Sequence, residues 1–241
     1  MSSPYRTADE VRHDHVNTLG PQLGPIYNAL TNEITSLHGK WNQYRKLFAT
    51  SEERIDLLNR SASYFFWLIQ ETLLEDVLLH LARLTDLADH GRGRTNLTLR
   101  QLPDLISDSA LKRDVTDLVG RAVAATSAAV DWRHRRLAHR DLALALAPVG
   151  AQLATSRGPL AGVSRADIEA ALAAFRNVLN RIEAYFWNGR EVGYQYFEGG
   201  LGNADVLLQC LHRDRLACEA RDRRFENRNL LPEDLQAEPE I

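Results

Sequence analysis

The chain has 241 residues, of which 44% are hydrophobic and 25% charged, with a formal net charge of -3. That make-up is ordinary for a soluble protein, and the length suits one large domain, which we expect, or two small ones. It excludes a global basic signature for nucleic acid, and no run approaches the roughly 18 apolar residues a membrane span needs.

Thr7 and Glu10 have capping-box spacing and open a short leading helix, which Gly20, Pro21, Gly24 and Pro25 then break. A second helix is expected over Ile26 to Phe48. Ser51, followed by Glu52 and Glu53, starts a third, running to about Leu87. Its apolar positions include Leu57, Leu58, Phe65, Phe66, Ile69, Leu73, Val77, Leu78, Leu81 and Leu84, a stripe wide enough for the centre of a bundle. Glu71, Glu75, Asp76, Arg83 and Asp86 interrupt it, and the spacing favours bundle ion pairs over a carboxylate metal site.

Residues 90 to 94 read as a loop, and Thr98 with Gln101 caps a short helix before Pro103. A long Ala-rich helix is expected from about Ser109 through Ala147, stopped by Pro148 and Gly150. After a Gly/Pro loop, Ser164 and Asp167 cap a helix to about Phe186. Gly189 to Gly202 is a loop whose Tyr194 to Phe197 has the residues of a short strand but no strand to pair with, and Asn203 and Asp205 open a last helix towards Phe225. The expected organisation is a capped segment over 1–22, one helical domain over 23–228 and an acidic, frayed tail over 229–241.

Cys210 and Cys218 are eight positions apart in that last helix, about 12 Å, too far for a disulfide. Free or buried thiols fit a reducing cytosol, and the N-terminal residues lack the apolar stretch of a signal peptide, so a cytoplasmic location is expected. His13 and His15 are read as solvated, and Trp41, Trp67, Trp132 and Trp187 as core residues, with Trp132 the exception worth testing.

Only Lys40, Lys46 and Lys112 are lysines, so a general excess of arginine carries little information and only its clustering counts. Residues 131 to 141, Asp-Trp-Arg-His-Arg-Arg-Leu-Ala-His-Arg-Asp, are the one place where arginines and imidazoles are packed together. Such a set can grip a phosphodiester and move protons near neutral pH. The bland alternative is a solvated helix end, with Asp131 and Arg135 paired locally. The last helix, with Arg213, Arg215, Arg221, Arg223, Arg224 and Arg228 among acids, reads as a mixed-charge solvated surface.

Arg133, His134 and His139 resemble the hallmark of the HEPN superfamily: arginine, a polar residue, four variable positions, then histidine. Leu81-Ala82-Arg83-Leu84-Thr85-Asp86, Asn96-Leu97-Thr98-Leu99 and Leu137-Ala138-His139-Arg140-Asp141 extend the resemblance to its AbiU-like abortive-infection branch. The family often has asparagine where His134 stands, and some HEPN toxins carry tyrosine where Asp141 stands. The resemblance implies an all-α HEPN-like bundle with long antiparallel helices, acting as a homodimer in phage defence or a toxin-antitoxin system. It further implies metal-independent RNA cleavage without an organic cofactor, with Arg133 and His139 catalytic.

In that chemistry a 2′-hydroxyl attacks the adjacent phosphate and leaves a 2′,3′-cyclic end. Histidine exchanges the proton and arginine stabilises charge on the phosphorane. His134, Arg136, Arg140 and Asp141 are the expected supporting or substrate-binding residues. On an ideal helix Arg133 and His139 stand roughly 120° apart, whereas Arg135 or Arg136 shares a face with His139. A two-fold interface would let Arg133 of one chain meet His139 of the other. The expected partners are RNA, a second copy of the chain and an antitoxin or defence-system protein. The alternative is an inactive HEPN scaffold that binds RNA or a protein partner through the same residues.

Overall fold

The computed structural model describes residues 6–89, 91, 95–137, 162–189 and 203–235. Its elements are helices: α1 (Ala8–Phe48), α2 (Glu52–Leu84), a 3-10 helix (Leu99–Leu105), α3 (Ser109–Ala125), α4 (Ser127–Trp132), a π-turn (Arg133–Leu137), α5 (Arg165–Phe186), α6 (Ala204–Glu226) and a final 3-10 turn (Pro232–Leu235). Among the described residues there is no strand beyond one isolated bridge between Asp89 and Thr95, and the fold is all-α. Residues Tyr194 to Phe197, the loop at 155–163 up to residue 161, and the stops at Pro148 and Gly150 lie outside the described residues.

The caps read from sequence form. Thr7 and Glu10 exchange reciprocal hydrogen bonds, as do Ser164 and Asp167, and Asn203 accepts from the amide of Val206. Each satisfies amides that a helix start leaves without carbonyl partners. Gly20 breaks α1 with φ 83°, and Pro21 follows in the first helical position, where its missing N–H is not needed. A Cβ on Gly24 would lie 2.6 Å from the Cα of Val16, so the leading segment folds back tightly onto the second. His15 therefore is not solvated as expected. Its Nδ1 is 3.0 Å from Oδ1 of Asn28, and its ring packs edge-on against Tyr27 and Trp187.

The described chain divides into two compact units, Met1–Trp41 with Leu73–Tyr196, and Asn42–Thr72 with Phe197–Ile241. In the first, α1 buries Leu23, Tyr27, Leu30, Ile34, Leu37 and Trp41, spaced three and four apart along one stripe. Opposite lies α5 with Ile168, Leu172, Phe175, Val178, Leu179 and Ile182, all essentially inaccessible. The two run antiparallel: the Tyr27 hydroxyl donates to the carbonyl of Leu179, and Trp41 Nε1 donates to Glu169 at 2.7 Å. α2 is antiparallel to α1 as well, through Glu33 with His80 and Lys40 with Asp76. α3 packs on α5 and on the first 3-10 helix.

The second unit has a small core of Leu47, Leu58, Phe66, Ala204 and Leu208. Lys46 and Arg54 both reach Asp205 at the start of α6, and they hold its carboxyl below the usual range. Two expectations fail here. The apolar stripe of α2 is not buried throughout, because the helix breaks at Ala62 (φ -161°, ψ 73°) and turns Phe65 outward at 54% exposure. Trp67 is no core residue either, being 53% exposed and stacked on Tyr64 at 5.7 Å. Cys210 is exposed and Cys218 half-buried, both free.

Candidate active site

The site grows from the C-terminal end of α2. Thr98 Oγ1 lies within hydrogen-bonding distance of the carbonyls of Leu84 (3.0 Å) and Asp86 (2.8 Å), the last acceptors of that helix, and accepts from the amide of Arg100. Arg100 Nε donates to the carbonyl of Thr85 at 2.7 Å. Those carbonyls would otherwise have no helical donor. Asn96 closes the intervening loop by donating to the carbonyls of Leu87 and Ala88. The purpose of the Asn-Leu-Thr-Leu segment is thus physical: it fixes where α2 ends and therefore where Asp86 points.

Asp86 accepts from Arg133 Nη1 in an ion pair whose side chains are only 16% and 15% exposed. Arg133 Nη2 also lies 2.9 Å from Nε2 of the exposed His134. Three segments distant in sequence, at 81–86, 96–99 and 133–134, are in this way parts of one structure. Arg135 points inward, 5% exposed, with Asp131 at 3.3 Å. Arg136 stacks its guanidinium 5.0 Å from the Trp132 ring centroid and lies 3.8 Å from Glu75. Trp132 therefore belongs to the cluster's surface, and the supporting role expected of Arg136 is joined to an acid on α2. His139, Arg140 and Asp141 lie outside the described residues.

The single helix expected from Ser109 through Ala147 is corrected over its described part. It is interrupted at Thr126 and passes into a π-turn at Arg133. The buried hydroxyls of Thr126 and Thr85 meet at 2.8 Å, while that of Thr126 also bonds back to the carbonyl of Ala122, a geometry that bends helices. In the π-turn the i to i+5 pattern adds a residue per turn, so the 100° increment used for Arg133 and His139 does not carry across it. Such turns concentrate at functional positions.

A second polar group lies beside α1. His80 Nε2 is 2.7 Å from Glu33, which also accepts from Arg83. Burial, with the nearby Arg83, holds the His80 imidazole below its ordinary range, against the opposing pull of Glu33. Sequence reading gave Glu75 as an interruption of an apolar stripe expected to form bundle ion pairs, and Asp86 also as the end of the Leu81 to Asp86 motif, without a partner for either. The available signal was that both are carboxylates eleven positions apart, near three helical turns. Among the described residues no group of three or more His, Cys, Asp or Glu is arranged to hold a metal ion. No helix there is long and apolar enough to cross a membrane.

The all-helical architecture of the described residues is that of a HEPN-like bundle. The AbiU2 family model matches residues 21–192, beginning where Pro21 restarts α1, and the chain belongs to this abortive-infection-related HEPN family. No curated protein and no solved structure matches it.

Proposed function

We propose that this chain is a ribonuclease of bacterial phage defence or of a toxin-antitoxin system, cleaving RNA with no need of a metal ion. The observation that carries the reading is the orientation of Arg133 by Asp86 at the π-turn, immediately before His134. A guanidinium has five N–H donors, so an arginine engaged by one carboxylate and one imidazole keeps others for the oxygens of a phosphodiester. Arg133 stabilises the charge that gathers as the 2′-hydroxyl attacks phosphorus and the 5′-oxygen leaves. His139 takes the hydroxyl proton and returns a proton to the leaving oxygen. A second copy of the chain supplies the opposing half of the site, and Arg136, Arg140 and Asp141 support the RNA or the imidazole. The protein works in the cytoplasm, with RNA and an antitoxin or other defence protein as partners.

Purified protein is expected to cut RNA in EDTA and leave 2′,3′-cyclic phosphate ends, while Arg133→Ala and His139→Ala do not. Equal cutting by either variant removes that residue from the mechanism. The second reading is a scaffold that binds RNA or protein without turnover. It is favoured by the near-neutral Asp86–Arg133 pair, which a purely structural bridge would also form. It predicts salt-sensitive RNA binding, lost in Arg133→Ala, with no cleavage by wild type.

A further inference from the structure

Resting on that reading of the site, we propose that His134 is not a proton-transfer group but a hydrogen-bond relay. Its Nε2 holds Arg133, and its Nδ1–H is offered to a non-bridging oxygen of the scissile phosphodiester. The direction of the 2.9 Å contact decides the matter. Every guanidinium nitrogen is a donor and stays protonated in proteins, so Nε2 of His134 must be the acceptor. The ring proton is then on Nδ1, and the imidazole is the neutral Nδ1–H tautomer.

Two consequences follow from that tautomer. The only basic lone pair of the ring is committed to Arg133, which Asp86 in turn immobilises. Taking a proton from a 2′-hydroxyl would turn Nε2 into a donor facing a donor and break the contact. On the other side Nδ1–H is a donor with no partner among the described residues, on a side chain that is exposed. It adjoins an arginine whose remaining N–H groups also seek an acceptor. An anion with two free oxygens on one phosphorus satisfies both donors together, and a phosphodiester is such a group. The ring thus adds an uncharged donor to a charged one, and the charge developing in the transition state strengthens both bonds.

The chemistry predicts a distinctive substitution pattern. Asparagine carries the same pair of functions, an acceptor in Oδ1 and donors in Nδ2, and it cannot titrate. His134→Ala is expected to lower kcat for RNA cleavage about 100-fold, the scale of losing one preorganised donor. His134→Asn is expected to restore most of that loss and to leave the limbs of the pH–rate profile where wild type has them. Loss of a limb in His134→Asn, or no rescue over alanine, would overturn the relay and make His134 an acid or base.

A measurement on the full chain keeps this separate from ribonuclease activity. In protein labelled with 15N-histidine, the signals absent from His134→Asn are expected to show the neutral Nδ1–H tautomer at pH 8. An Nε2–H tautomer overturns the proposal whether or not the protein cuts RNA. A 2′-deoxy oligonucleotide, which has phosphodiesters but no attacking hydroxyl, serves as the binding probe. Its affinity is expected to fall in His134→Ala and recover in His134→Asn, and equal binding by all three proteins overturns the Nδ1–H contact. Should wild type bind this probe as expected yet never cleave RNA, the ribonuclease reading fails and the relay stands as a phosphate-binding device.

Discussion

Asp86 lies just past the last turn of α2, its carboxylate largely covered by the arginine it holds. Removing one partner of such a pair leaves the other ion without its hydrogen bond, which outweighs the loss of an exposed surface bridge. Asp86→Ala is expected to lower stability by about 1–3 kcal/mol in urea unfolding. It should also reduce affinity for RNA although it removes a negative charge, because Arg133 loses its orientation. Tighter binding by the variant would show that Asp86 merely neutralises Arg133. The sequence displayed both residues but not their contact, since nothing local joins positions 47 apart. Histidine at 134, where the family often has asparagine, is no departure in hydrogen-bonding terms if the ring is the proposed Nδ1–H tautomer, which both accepts and donates.

Helix starts were the most legible feature at the level of elements, because caps are local. Thr7, Thr98, Ser164 and Asn203 each do what their spacing implies. The helix interruptions at Ala62 and Thr126 were not legible. That at Thr126 involves a buried hydroxyl pair with Thr85 across two elements, and no window of sequence contains both partners. Gly24 shows the same limit: it reads as a breaker, yet it continues the helix and is small because Val16 sits on it. Gly24→Ala should therefore destabilise by about 1–3 kcal/mol through overpacking. Gly120→Ala, in the interior of α3 with nothing within 4 Å, should stabilise by about 0.5–1 kcal/mol. Thermal unfolding of both variants checks the pair, and effects of the same sign would refute it.

The contact between α1 and α5 makes stability depend on pH. Burial, reinforced by Arg176 and opposed by Glu169, pushes the His38 imidazole down to about 4. The unfolded chain takes up that proton near pH 6.5, so between about 6.5 and 4 the unfolded state binds more protons than the native one. Stability from this residue is complete above the window, declines as pH falls through it, and changes no further below. His38→Gln should flatten the dependence of Tm on pH over that range, and an unchanged slope would assign the effect elsewhere.

At the scale of the whole molecule, the two units differ in what holds them. α5 is buried along its length, whereas α6 has no buried residue after Leu208. Amide hydrogens in the C-terminal half of α6 are expected to exchange well before those of α5, since local opening exposes little apolar surface there. Exchange measured by mass spectrometry on the intact chain tests this, and equal protection would contradict the packing. The wide apolar stripe of α2 suggested burial along the helix, and the placement of Phe65 shows why it misled. Periodicity reports which residues share a face, while a break in the helix decides which way that face turns.

The chain has two sulfhydryls, and only Cys210 stands in open solvent, on α6 in the unit that does not contain Arg133. A maleimide dye will react there first and leave the guanidinium, the imidazole and their carboxylate untouched. Nature has thus left a chemist's handle on this molecule, from which the proposed binding of RNA can be tested by fluorescence without any engineered cysteine.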